Sequence, residues 1–270
     1  MKADDAIGVF DSGLGGLTVA RAIRARCPEE RLVYLGDTAR VPYGTRSAHT
    51  VIRYARTCAT HLASHGVKLL VVACNTVSAV ALPMLRVELD VPVLGVIGPG
   101  ARAGALASRA HMVGILATEG TVASGAYPAA VAAETTRCEV TQKAAPLLVP
   151  LVEEGWLEGD VPRLTVRRYL EPLIDKGVDT IVLGCTHYPL LAPLIEEEAA
   201  ALAGRPIRIV DSAAATAEEL AQLLEQRGLR REGEGSLTLR VTDLPGRFAE
   251  VASRFLGEPL TLEDVEAIDL

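Results

Sequence analysis

Short continuous apolar runs alternate with longer stretches whose apolar residues fall three and four apart, and this alternation narrows the possible folds more than any other feature. The runs at Ile7–Phe10, Leu32–Leu35, Leu69–Ala73, Val93–Ile97, Val113–Leu116, Thr180–Leu183 and Ile207–Val210 read as strands buried on both faces. Thr50–His65, Leu164–Lys176 and Leu190–Ala203 carry the helical spacing. Strand and helix in turn predict an α/β fold, with helices on both faces of parallel sheets. A chain of 270 residues is long enough for two such domains.

A weak internal repeat supports two. His65-Gly66-Val67-Lys68-Leu69-Leu70-Val71-Val72-Ala73-Cys74-Asn75-Thr76 resembles the segment from Lys176 to His187, with Gly, Val and Cys matching at one offset of 111 residues. Ile7–Gly13 and Val113–Gly120 share a strand followed by a polar, Gly-bearing turn. Both pairs in the same order imply two similar parallel-sheet α/β halves with a cleft between them. Gly98-Pro99-Gly100 reads as the first hinge, and Ile207–Val210 as a strand returning to the first half. The expected division is residues 1–97 plus 208–270 for the first domain and an inserted second domain at 98–207. The acidic end, Glu258 to Leu270, reads as a solvated surface segment.

Composition narrows the function. Hydrophobic residues at 49% supply a sizeable core, and charged residues at 23% exclude intrinsic disorder. A net charge of -7 argues against a general nucleic-acid binder. The longest apolar runs, about six residues, fall far short of a membrane span, and the N-terminus has no signal-peptide pattern. Five cysteines with no CxxC pair argue against a disulfide framework and against a zinc site. A cytoplasmic protein with no metal, membrane or nucleic-acid partner is the expectation.

Ligands of open α/β sheets bind where strands end and helices begin. Four such edges carry polar residues: Asp11-Ser12-Gly13, Asp37-Thr38, Cys74-Asn75-Thr76 and Cys185-Thr186-His187. A lone cysteine after a strand is more often core than catalyst. Two at equivalent repeat positions, each followed by polar residues, point to paired thiol chemistry, whereas Cys27, Cys58 and Cys138 lack that setting. Asp11 could equally be a helix cap, His187 a helix-start residue and Glu153 a surface charge. Gly13-Leu14-Gly15-Gly16 has neither GxGxxG spacing nor a GK[ST] ending, so nucleotide binding is poorly supported. Lys68, the only lysine near a motif, lies six residues before Cys74, roughly 20 Å down an extended strand. That is the wrong end for pyridoxal phosphate.

Gly8-Val9-Phe10-Asp11-Ser12-Gly13-Leu14-Gly15-Gly16-Leu17-Thr18 resembles the opening motif of the glutamate racemases, members of the aspartate/glutamate racemase superfamily. Tyr34-Leu35-Gly36-Asp37-Thr38-Ala39-Arg40 with Pro42-Tyr43-Gly44, then Ala73-Cys74-Asn75-Thr76, are similar to the next two motifs. Thr118-Glu119-Gly120-Thr121, Val149-Pro150-Leu151-Val152-Glu153 and Leu183-Gly184-Cys185-Thr186-His187-Tyr188-Pro189-Leu190 follow in order, so the likeness spans nearly the whole chain. Ala117, Ala145 and Val41 depart from the usual pattern without touching the motif residues that matter for chemistry.

The resemblance implies cofactor-independent interconversion of L- and D-glutamate, with D-glutamate supplied to peptidoglycan and hence to cell wall and cell shape. It implies that Cys74 and Cys185 are the paired acid and base, Asp11 assisting the first, His187 and Glu153 the second. The first cysteine would deprotonate D-glutamate and the second L-glutamate. Asp11, Ser12, Tyr43, Gly44, Asn75, Thr76, Thr118, Thr121, Thr186 and His187 would hold the substrate. It further implies a homodimer. Some relatives depend on a nucleotide activator through a long N-terminal extension, and six residues before the first strand predict no such dependence here. The competing readings are an aspartate or hydantoin racemase, a non-catalytic two-lobed amino-acid-binding module, and a thiol redox protein.

Overall fold

The computed structural model describes residues 2–270. The first part of the chain forms β1 (Ile7–Asp11), α1 (Leu17–Arg26), β2 (Arg31–Gly36), α2 (Ala48–Ser64), β3 (Leu69–Val72), α3 (Asn75–Val80), α4 (Leu82–Glu88) and β4 (Val93–Gly95). The middle contributes α5 (Ile97–Ala107), β5 (Met112–Ala117), α6 (Glu119–Ser124), α7 (Ala126–Glu134), β6 (Glu139–Ala144), α8 (Leu148–Glu153), α9 (Asp160–Ile174), β7 (Thr180–Gly184), α10 (Ala192–Ala203) and β8 (Arg208–Asp211). The end adds α11 (Ser212–Gln226), β9 (Ser236–Val241), α12 (Pro245–Leu256) and β10 (Val265–Ala267).

Two all-parallel sheets result, in the order β10-β9-β2-β1-β3-β4 and β6-β5-β7-β8. Their central strands are buried along their full length, as continuous apolar runs covered by helices on both faces must be. β1 and β3 in the first sheet correspond to β5 and β7 in the second, so the repeated segments occupy equivalent places. Helix α11 packs against both α1 and α5, and its Ala217, Leu220 and Leu224 join one apolar cluster running through both lobes.

Three local expectations are corrected. The strand at Arg208–Asp211 stays in the second sheet, pairing Thr180 with Arg208 through Leu183 with Asp211, because α10 crosses over and sets it beside β7. The chain returns to the first sheet only after α11. Gly98-Pro99-Gly100 is not a loop: it forms the first turn of α5, just after β4, where proline's missing N–H would have had no helical partner. The acidic end is not merely solvated. β10 pairs with β9, Val265 opposite Leu239, and Ile268 and Leu270 pack on the core beside α2.

At the amino ends of the first sheet's strands, far from the cysteine edge, Lys68 and Glu30 form an ion pair of 2.6 Å with both side chains fully buried. Lys68 Nζ also donates to the carbonyls of Ala3 (2.6 Å) and Leu229 (2.7 Å), and Glu30 Oε1 accepts from Arg231 N at 2.9 Å. Removing one partner leaves the other charge buried and uncompensated. Lys68→Met is expected to cost about 3–5 kcal/mol, seen as a fall in the urea midpoint, while Lys68→Met combined with Glu30→Leu recovers much of the loss.

Candidate active site

Each sheet reverses its strand order at one point, between β1 and β3 and between β5 and β7, and there the carboxyl ends of the strands open a crevice. Asp11 ends β1 and Cys74 caps α3 just beyond β3; Thr118 caps α6 after β5 and Cys185 follows β7. Both cysteines line a single cavity of about 490 Å³ and are each 6% exposed.

The surroundings of the two thiols differ. His187 Nδ1 lies 3.9 Å from Cys185 Sγ, and Nε2 lies 2.9 Å from Glu153 Oε1. Burial works against a charge on this ring, but the hydrogen bonds and negative charges of Cys185 and Glu153 prevail and raise its pKa to about 10. Burial likewise opposes ionisation of Glu153, and the hydrogen bond from His187 overrides it, lowering the carboxyl. An imidazolium bonded on both nitrogens thus connects thiol and carboxylate. Phe255 meets the ring edge-on, centroids 5.2 Å apart.

Cys74 has no such cation beside it among the described residues. Burial, then the charge of Asp11, push its thiol up to about 12. Asp11 is 1% exposed and sits behind the cavity wall; Oδ2 accepts from Gly13 N at 2.9 Å and Oδ1 is buried without a partner. Desolvation raises its carboxyl, against the backbone N–H groups of the Gly13 turn.

A polar seam joins the lobes around this cavity. Thr18 Oγ1 donates to Thr186 O (3.0 Å), Gly120 N to Gly44 O (2.9 Å) and the Tyr127 hydroxyl to Asn75 Oδ1 (2.8 Å). Thr76 Oγ1 lies 3.0 Å from Thr118 Oγ1, which is bonded to Thr121 Oγ1 at 3.0 Å. Ser12, Tyr43, Gly44, Asn75, Thr76, Thr118, Glu153, Thr186 and His187 line the cavity, whereas Asp11 and Thr121 stand one layer behind it. Tyr43 gives its hydroxyl to Asp37, which also accepts from Arg40 and Thr242 at 2.9 Å each. The phenol is therefore committed to the wall. Asn75 keeps a buried Nδ2 with no partner.

Leu244, Arg247, Phe248 and Val251, at the start of α12, also line the cavity and escaped sequence reasoning. Their signal was the apolar spacing Phe248-Val251-Ala252-Phe255, which marks a buried helical face but no chemistry.

Two parallel-sheet lobes, each presenting a thiol at its switch point to a shared cleft, define a class of two-lobed α/β proteins with the candidate site between the lobes. The profile of the Asp/Glu/hydantoin racemase family matches residues 17–220. A glutamate racemase of Neisseria gonorrhoeae is 49% identical over 267 residues, covering 98% of this chain and 96% of the relative. The crystal structure of a glutamate racemase isoform from Bacillus anthracis superposes with a TM-score of 0.93 at 37% identity, covering 98% of each chain. That of the Francisella tularensis glutamate racemase in complex with D-glutamate gives 0.88 at 33% identity, again over 98% of each. The chain belongs to the Asp/Glu/hydantoin racemase family.

Gly15 marks how closely the lobes approach. A Cβ there would lie 2.3 Å from Thr186 Oγ1 and 2.4 Å from His187 Nδ1. Gly15→Ala is expected to push the imidazole off Cys185 and lower kcat by about 10²-fold, measured by steady-state kinetics, with the fold retained by circular dichroism.

Proposed function

We propose that this racemase interconverts L- and D-glutamate without a cofactor, through proton transfer between two thiols, and that its D-glutamate serves peptidoglycan synthesis. The observation that carries this reading is the placing of Cys74 and Cys185 at equivalent strand ends of the two lobes, both lining one cavity. The glutamate racemase relatives, one of them solved in complex with D-glutamate, support the choice of substrate.

Inversion at an α-carbon requires a base on one face and an acid on the other. With its thiol held up to about 12, Cys74 starts as the acid. Cys185, beside the His187 imidazolium, starts as the base. With L-glutamate, Cys185 takes the α-proton and Cys74 returns its own to the opposite face. One proton is still shared by the pair, now on Cys185, and D-glutamate runs the steps in reverse. The unpartnered Asn75 Nδ2 and the hydroxyls of Ser12, Thr76, Thr118 and Thr186 supply donors for the carboxylates, while Asp11 acts from behind the wall through its charge on Cys74.

The test is proton NMR of L-glutamate with the purified protein in D2O. Loss of the α-proton signal together with loss of optical rotation is expected. Exchange with aspartate alone would correct the substrate, and exchange with neither would favour a binding module. Cys74→Ser and Cys185→Ser should each reduce racemisation by about 10²–10⁴-fold or more; full activity in either would end the two-thiol scheme.

His187 gives a directional prediction. The enantiomers are equal in free energy, so kcat/KM must change equally in both directions, and the asymmetry falls in kcat. His187→Asn should lower kcat more from L-glutamate than from D-glutamate. In the wild type, kcat from L-glutamate should decline as pH rises through about 10, where the ring loses its proton.

A further inference from the structure

The C-terminal turn of α8 is held from the other lobe. Backbone N–H groups of Glu154, Trp156 and Gly155 satisfy the carbonyls of Pro150, Leu151 and Val152 respectively. The Glu153 carbonyl instead accepts from Arg254 Nη1 at 2.9 Å, and the same nitrogen lies 3.2 Å from Val152 O. Arg254 comes from α12, whose next residue, Phe255, meets the His187 ring edge-on. Gly155 makes room for this contact: its φ is +76°, and a Cβ there would lie 2.6 Å from Arg254 Nη1. A helix end with unpaired carbonyls frays unless a donor meets them, and the residue at this end carries the carboxylate that accepts from His187.

We propose that Arg254 is a positioning residue: from α12 it locks the last turn of α8 and so fixes the Glu153 carboxylate against His187. This rests on the racemase reading for its catalytic meaning, although the contact can be tested without turnover. Arg254 bonds only main-chain oxygens of this turn, so it acts through the placement of Glu153 and not as a proton donor. It lies outside every motif that carries the family resemblance.

The test is a ¹⁵N NMR titration of the His187 ring in wild type, Arg254→Met, Glu153→Gln and the double variant, with kcat measured in both directions. The charged and titratable groups around the ring are Cys185 and Glu153 in contact and Asp11 across the seam, with Arg247 acting on Glu153. Two effects of Arg254→Met have opposite signs. Removing a nearby positive charge alone would raise the His187 midpoint, whereas releasing Glu153 lowers it. The expected result is a fall of about one pH unit or more in each single variant, no further fall in the double, and recovery in Arg254→Lys. The kcat from L-glutamate should drop about tenfold more than that from D-glutamate. An unchanged or raised midpoint in Arg254→Met, or a fall that adds fully to that of Glu153→Gln, overturns the proposal. Those outcomes leave the racemase reading intact. A wild type that exchanges no α-proton removes that reading while the titration still decides the contact.

Discussion

The site depends on the two lobes meeting at a fixed distance, and the contacts that set this distance are short and polar. Thr18 reaches the Thr186 carbonyl, Gly120 the Gly44 carbonyl and Tyr127 the Asn75 side chain. Each bond crosses from one lobe to the other beside a residue that lines the cavity. Gly15 lets the backbone come so near Thr186 and His187 that no side-chain atom fits between them. A shared apolar cluster beneath, running through α11, packs the two lobes against each other.

Within that frame the repeat is symmetric and the chemistry is not. The sheets place Cys74 and Cys185 equivalently, but one faces a buried carboxylate and the other an imidazole–carboxylate pair. In the proposed two-thiol reaction such unequal surroundings would define where the shared proton rests.

Most of this architecture could be read from the sequence where burial is continuous. β1, β3, β5 and β7 are built on continuous apolar runs, and the polar residues at or just beyond their carboxyl ends mark the switch points. β6 could not be read, since Glu139–Ala144 is an edge strand with no fully buried residue, and its run is polar. Pairing partners were also hidden: the run at 207–210 was recognisable as a strand, but nothing local says which sheet it joins. The wall formed by α12 escaped for a related reason, as an amphipathic helix reports that one face is covered without reporting what covers it. The hydroxyl of Tyr43 shows the limit within the site. Its motif names the residue, and only the fold reveals that Asp37 takes its proton donor.

The route of the chain also bears on how the protein is made. β9 and β10 complete the first sheet, and α12 closes the cleft, yet all three lie after the whole second lobe. As the polypeptide leaves the ribosome, the N-terminal lobe waits with the outer edge of β2 open while well over a hundred further residues are added. An open edge of that kind invites pairing with other nascent chains. The second lobe, contiguous from α5 to β8, can close first. The cleft is therefore assembled only after the second lobe has been made, and a chain cut short before β9 would be exposed to aggregation and proteolysis before the cleft could form.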